Sequence, residues 1–60
     1  MLQTFNARMS ALSDRYLLHP EDEVLTAIQR LANSERMLLD ENVARDWARK
    51  IAGGTAIRPR

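Results

Sequence analysis

The side chains best suited to chemistry lie in the middle of the chain, around its single histidine. His19 is followed by Pro20 and then by an acidic run, residues 21–23. Imidazole and carboxylate groups serve as metal ligands and as general acids or bases. Consecutive residues on a helix, however, point to different faces. We therefore interpret the acidic run as the solvated start of a helix, where negative charge complements the helix dipole, and His19 as a capping or turn residue.

No motif in the sequence indicates catalysis. The chain has no glycine-rich phosphate loop, no nucleophile motif and no metal-binding helix of the HExxH type. It has no cysteine, which excludes disulfides and thiolate metal sites. A chain this short also has difficulty enclosing a water-excluding pocket of about 300 Å³ or more. We therefore expect no enzyme activity, no catalytic residue, and no cofactor, metal or small-molecule substrate.

An apolar seam near the amino terminus is the clearest pattern in the sequence. Its members recur at alternating spacings of three and four, as at the a and d positions of a heptad: Leu2, Phe5, Met9, Leu12 and Tyr16. The seam covers about two heptads, fewer than the three or four that indicate a coiled coil. Two interpretations stay open, an ordinary amphipathic helix within a bundle and a seam that docks on a second copy or a partner protein. We take the five residues as the candidate protein interface.

A second candidate site is basic and lies in the last third of the chain. The net charge is only +1, but residues 41–60 contain five basic and two acidic side chains. The basic residues, which are candidate contacts for nucleic-acid phosphates, are Arg45, Arg49, Lys50, Arg58 and Arg60. The sequence pI of 8.4 is below the values typical of dedicated nucleic-acid-binding domains. Two of the basic residues also have an acidic partner four positions earlier, in the pairs Glu41–Arg45 and Asp46–Lys50. Nucleic-acid binding is therefore the alternative hypothesis.

Residues 43–54 resemble the first half of a helix-turn-helix motif, with an alanine inside the helix and a glycine at the turn. The resemblance covers about a fifth of the chain. The recognition helix that should follow is replaced by residues 55–60, which are too few and include Pro59. The resemblance adds to the nucleic-acid alternative, and it assigns no family.

Helices must position these candidate residues. Apolar periodicity predicts three of them, over about 2–18, 21–33 and 40–52, followed by a short basic tail, residues 55–60, that we expect to be mobile. The first helix should end by Leu18 because the residue before a proline disfavours helical angles. Asp40 and Gly53–Gly54 are the expected caps of the third helix. A fused second and third helix, which would give a two-helix hairpin, is the alternative.

The apolar residues also predict which side chains are buried. Val43, Trp47 and Ile51 recur at steps of four and form the expected core face of the third helix, beside a ladder of alanines. The run 37–39, with the sequence Met-Leu-Leu, is interpreted as a buried connector between the second and third helices.

The chain length suggests that the core is incomplete without a partner. A domain of 60 residues buries only about 60% of its unfolded surface, and natural domains of this size often rely on disulfides, a metal or oligomerisation. Because cysteine is absent, we expect an all-α unit that completes its core by homodimerisation. No apolar run approaches the roughly 20 residues that cross a bilayer, and the amino terminus lacks the pattern of a signal peptide. A cytoplasmic location is therefore expected, with no membrane contact.

The sequence thus predicts a small helical interaction protein, a regulator or inhibitor that docks a helix face on a larger protein. Two alternatives stay open, a nucleic-acid-binding transcriptional regulator and a structural component of a phage or bacterial assembly. Eight of the nine basic residues are arginine, a bias common in GC-rich bacterial genomes and their phages.

Overall fold

The chain folds into three α-helices, as the apolar periodicity predicts. The computed structural model describes the backbone of residues 2–58 and the side chains of residues 5–58. In chain order the helices are α1 (Leu2–Arg15), α2 (Glu21–Ser34) and α3 (Glu41–Ala52). No strand occurs between residues 2 and 58. The second and third helices are separate elements, so the fused hairpin is not adopted. None of the helices in this range is long and apolar enough to span a bilayer.

Helix α1 ends three residues earlier than predicted. Residues 16–18 form a turn instead of continuing the helix, and Leu18 has a positive φ of 68°. The Leu18 N–H then donates to the carbonyl of Ile51 at 2.9 Å. This left-handed residue therefore reverses the chain and connects the end of α1 to the end of α3.

Helix α2 begins and ends with recognisable local signals. Pro20 occupies the N-cap position predicted for His19, and residues 21–23 place three carboxylates in the first turn. At the other end the Arg36 N–H donates to the Asn33 carbonyl and the Met37 N–H to the Ala32 carbonyl. These two bonds form a Schellman motif, whose left-handed position is normally glycine. Here Arg36 fills it, with a φ of 54°.

Helix α3 has the expected caps, with one difference in detail. Asp40 is the N-cap residue, but its side chain makes no capping hydrogen bond. At the carboxyl end Gly54 is the left-handed residue, with a φ of 97°, while Gly53 keeps helical angles. The Gly54 and Thr55 N–H groups donate to the carbonyls of Ile51 and Lys50, which completes a second Schellman motif.

The three helices and the segment after α3 enclose one apolar core. Its buried residues are Phe5, Met9, Val24, Ile28, Ala32, Ala44, Ala48, Ile51 and Ile57. The predicted core face of α3 is therefore only partly correct. Val43 is exposed and Trp47 is half-buried at the edge of the core, whereas the alanine ladder lies inside. Small side chains allow the backbones of two helices to approach closely, and this favours the alanine side of α3.

Two predictions about the connecting segments are wrong. The connector 37–39 is not buried as a unit, because Leu38 is fully exposed while Met37 and Leu39 are half-buried. Residues 55–58 do not form a free tail, because Ile57 is buried and the segment packs along α1. Pro59 and Arg60 lie outside the described residues. The ordered part of the domain thus extends at least to Arg58.

Candidate protein-docking groove

The predicted apolar seam divides into a buried part and a surface part. Phe5 is 5% exposed and Met9 is 0% exposed, so both belong to the core of the chain itself. The prediction that they form a contact surface is therefore wrong. Leu12 and Tyr16 are half-buried and pack at the edge of the core. The side chain of Leu2 lies outside the described residues.

Leu12 and Tyr16 form part of an open groove between α1 and α2. The groove has a volume of about 340 Å³ and is lined by Arg8, Ala11, Leu12, Arg15, Tyr16, Ala27, Arg30 and Leu31. On each helix the lining residues recur at spacings of three and four, which places them on one face. The alanines of the two helices lack the volume to fill the space between them. An apolar floor is therefore left accessible along this helix pair.

A second depression of about 330 Å³ extends the groove towards the turn between the helices. It shares Tyr16, Ala27 and Arg30 with the first depression and reaches His19 and Glu23. The rings of Tyr16 and His19 meet edge to face with centroids 5.2 Å apart, and His19 Nδ1 lies 3.3 Å from a Glu23 carboxylate oxygen. We call the two depressions together the α1–α2 groove.

The rim of the α1–α2 groove carries more positive than negative charge. The Arg8 guanidinium is paired with Glu35 at 2.8 Å. Arg15 and Arg30, in contrast, make no ion pair with any residue of the described range 5–58. Both are exposed. The groove therefore combines an apolar floor with two guanidinium groups that are available to an acidic ligand.

Another depression lies beneath the connector between α2 and α3 and has a similar volume, about 310 Å³. Its lining includes the polar side chains of Gln29, Asn33 and Glu41 as well as apolar residues. It has no basic side chain on its rim. Because its walls mix polar and apolar groups without a clear charge preference, it is a weaker candidate than the α1–α2 groove.

The basic residues predicted for nucleic-acid contact do not form a common free surface. Arg45 lies 3.6 Å from Glu41 and Lys50 lies 3.1 Å from Asp46, which confirms the two ion pairs predicted from the spacing of four. Arg58 is bound to α1, away from the other residues of the set, through Asp14 at 2.7 Å. Arg49 is exposed and has no ion pair among the described residues. Arg60 lies outside them.

Comparisons with protein-family models, with curated proteins and with solved structures found no match to this chain. The site is therefore defined by its own geometry. Sequence reasoning missed the arginines of the rim because it followed only apolar periodicity in the first two helices and placed the basic candidate site in residues 41–60. The signal was present, since Arg8 and Arg15 are seven residues apart and flank Leu12 on the same helical face.

Proposed function

We propose that this chain is a small, non-enzymatic protein-interaction module that regulates or inhibits a larger protein by binding one of its helices. The helix would occupy the α1–α2 groove. The observation that carries the proposal is the apolar floor of this groove beside Arg15 and Arg30, two guanidinium groups without an acidic partner among the described residues. Helix-in-groove recognition uses such an apolar channel between two packed elements.

The charge of the rim indicates which kind of helix fits. On α1, the part of the groove from Arg8 to Arg15 extends over two helical turns, about 10 Å at 1.5 Å per residue. A partner helix of three to four turns would cover it and continue towards His19. Carboxylates beside its apolar stripe would pair with Arg15 and Arg30, and guanidinium–carboxylate pairs are strong and directional. The proposed partner is therefore an amphipathic helix with acidic flanks.

A second copy of the chain is the competing occupant and would give the homodimer expected from the sequence. This occupant has less support for two reasons. Phe5 and Met9 are already covered within one chain, so the core does not require a second copy. A two-fold dimer also apposes the same patch of both copies, which would bring the positively charged rims together.

Nucleic-acid binding has less support than protein binding. Arg45, Lys50 and Arg58 each have a carboxylate within 4 Å, so phosphates would have to displace existing partners. No observation on the described residues favours the third candidate, a structural part of a phage or bacterial assembly.

A designed peptide probe tests the proposal without a natural partner. The probe is a fluorescein-labelled amphipathic peptide of about 14 residues, or four helical turns, with a leucine stripe flanked by glutamates. Its counterpart carries lysines in place of the glutamates. The chain is compared with the variant Arg15→Glu/Arg30→Glu and with Arg45→Glu/Arg49→Glu, a control with the same change in net charge on α3.

We expect fluorescence anisotropy to show that the acidic probe binds the wild type and the α3 control but not the groove variant. The basic probe should show the reverse preference and bind only the groove variant. Equal affinity of the acidic probe for all three proteins, or no binding to any, would contradict the proposal. Light scattering on the free proteins provides a second readout. A wild-type dimer that the groove variant abolishes would identify a second copy as the occupant and overturn the proposal.

A further inference from the structure

We propose that residues 55–58, which we call the clasp, fix the position of α1 and thereby hold the α1–α2 groove in its binding-competent shape. The clasp is a bound segment of the fold that the sequence pattern does not indicate. The coupling to the groove rests on the function proposed above, whereas the structural role of the clasp does not. The two parts are therefore tested by separate readouts.

The first element of the clasp is a buried hydrogen bond. Ser13 is the one buried polar residue of the described part of the core, at 0% exposure. Its Oγ accepts the backbone N–H of Ile57 at 2.6 Å. The Ile57 side chain is itself buried against the core. A buried N–H without an acceptor is costly, so the bond favours one definite position of the clasp on α1.

The second element is the Arg58 side chain, which reaches α1 at two points. Its guanidinium donates to the Asp14 carboxylate at 2.7 Å and to the backbone carbonyl of Ser10 at 3.3 Å. Together with Ser13, these contacts cover one turn of α1. The clasp thus adds a contact on the middle of α1 to the contacts that this helix makes with the core through its buried residues Phe5 and Met9.

The geometry of α1 relates the clasp to the groove. Successive helical residues are rotated by about 100°, given 3.6 residues per turn. The residues that meet the clasp, Ser10, Ser13 and Asp14, are centred roughly 200° from those that line the groove. The clasp and the groove are therefore on opposite sides of α1, and the core residue Met9 lies between them. Because the clasp contacts the side of α1 opposite the groove, it keeps the groove-lining side of α1 at a fixed distance from α2.

Release of the clasp would allow small displacements of α1 relative to the turn at Leu18, whose N–H is bonded to Ile51 at the end of α3. The spacing between Leu12 and Leu31 across the groove would then no longer be fixed. Because a bound helix contacts both walls, binding and clasp closure should stabilise each other, as reciprocal coupling requires. The clasp is in this sense a built-in control of groove affinity.

The test compares two variants of the clasp with two matched controls in the full chain. Ser13→Ala removes the acceptor of the Ile57 N–H, whereas Ser10→Ala retains the backbone carbonyl that Arg58 uses. Arg58→Ala removes an exposed ion pair, whereas Arg49→Ala removes an exposed arginine without a partner in the described range. Should Ser13→Ala fail to fold, the surface variant Arg58→Ala still decides the question.

Hydrogen–deuterium exchange with mass spectrometry reports the position of α1 directly. We expect the amides of α1 to exchange several-fold faster in Arg58→Ala and about tenfold faster in Ser13→Ala, the size of effect expected for one lost buried hydrogen bond and a local opening. Exchange in α2 and α3 should stay close to that of the wild type, and both controls should match the wild type throughout. Equal acceleration in all three helices, or none in α1, would overturn the clasp as a local device.

Fluorescence anisotropy with the acidic peptide probe measures the coupling between the clasp and the groove. We expect the affinity for the acidic probe to be lower in Arg58→Ala than in the wild type and lowest in Ser13→Ala, the order in which α1 loses protection from exchange. Both controls should bind the probe like the wild type. Faster exchange in α1 with unaltered probe affinity would overturn control of the groove by the clasp. Absence of probe binding to the wild type would instead refute the docking function, and the exchange data alone would then decide whether the clasp fixes α1.

Discussion

Replacement of Arg36 by glycine should stabilise the domain. Arg36 has a φ of 54° at the end of α2, and a left-handed conformation costs an L-residue roughly 1–2 kcal/mol. Glycine removes that cost. Its greater conformational freedom in the unfolded chain, however, lowers the free energy of unfolding by about 0.4–1 kcal/mol. The expected net gain is about 0.5–1 kcal/mol. For a domain of this size that gain raises the unfolding temperature by about 2–8 °C.

The local geometry separates the effect of the Arg36 backbone conformation from the effects of lost hydrogen bonds and lost side-chain contacts. The Schellman bonds donated by Arg36 and Met37 are backbone bonds, so they persist in the variant. The Arg36 side chain is exposed and makes no ion pair within the described residues. Its loss should therefore change the stability little. The matched control is Arg36→Ala, which removes the same side chain but keeps the Cβ atom that disfavours the left-handed region.

Urea denaturation provides the assay, with far-UV circular dichroism for the helices and Trp47 fluorescence for the core edge. Coincident transitions by the two signals would justify a two-state analysis. We expect the stability to increase only in the glycine variant, with the alanine variant close to the wild type. A glycine variant no more stable than the alanine variant would refute the assignment of strain to this position.

Three further substitutions test the distribution of burial and backbone strain. Leu38→Ser should leave the free energy of unfolding within about 0.5 kcal/mol of the wild type, because the side chain is fully exposed, and a larger loss in urea denaturation would mean that the connector is buried. Met9→Ala should lower the same quantity by about 2–5 kcal/mol because the residue is 0% exposed. Unchanged stability would mean that Met9 does not belong to the core and would again favour the contact surface predicted for it from the sequence. Gly54→Ala should lower the unfolding temperature through a loss of about 1 kcal/mol, since φ is 97° and the new Cβ would lie 3.2 Å from Leu18 Cδ2. An unfolding temperature equal to that of the wild type would show that Leu18 and the backbone adapt without cost.

The helices could be predicted from the sequence because their signals agree with one another. In α2 the apolar spacing, the proline at the start and the acidic first turn all indicate the same element, and Val24, Ile28 and Ala32 are buried as the period requires. The end of α1 was harder to place, because Leu18 carries no mark of a left-handed residue. Its conformation depends on the hydrogen bond to Ile51, a partner 33 positions later in the chain.

The buried face of α3 shows a limit of reasoning from hydrophobicity alone. Val43, Trp47 and Ile51 are more apolar than the alanines beside them, and a stripe of large residues indicates a core face. In the fold, Ala44 and Ala48 are 2% and 0% exposed. When two helices pack closely, side-chain size determines which face fits between them. Trp47 is too large for that position and covers the edge of the core instead.

The same distinction explains why the candidate docking groove could be predicted only in part. A seam that is periodic along one helix contains residues that face the core and residues that face its edge, and the sequence pattern does not separate the two. Once Phe5 and Met9 are taken by the core, the surface left to a partner is set by Leu12 and Tyr16 together with residues of α2. That pairing depends on how α1 is held, and the bond from Ile57 to Ser13 joins positions 44 residues apart. A lone isoleucine in a basic segment does not indicate this bond in the sequence. The groove and the clasp therefore both depend on the position of α1. For that reason we expect a substitution in the clasp to change the affinity of the groove for a helix.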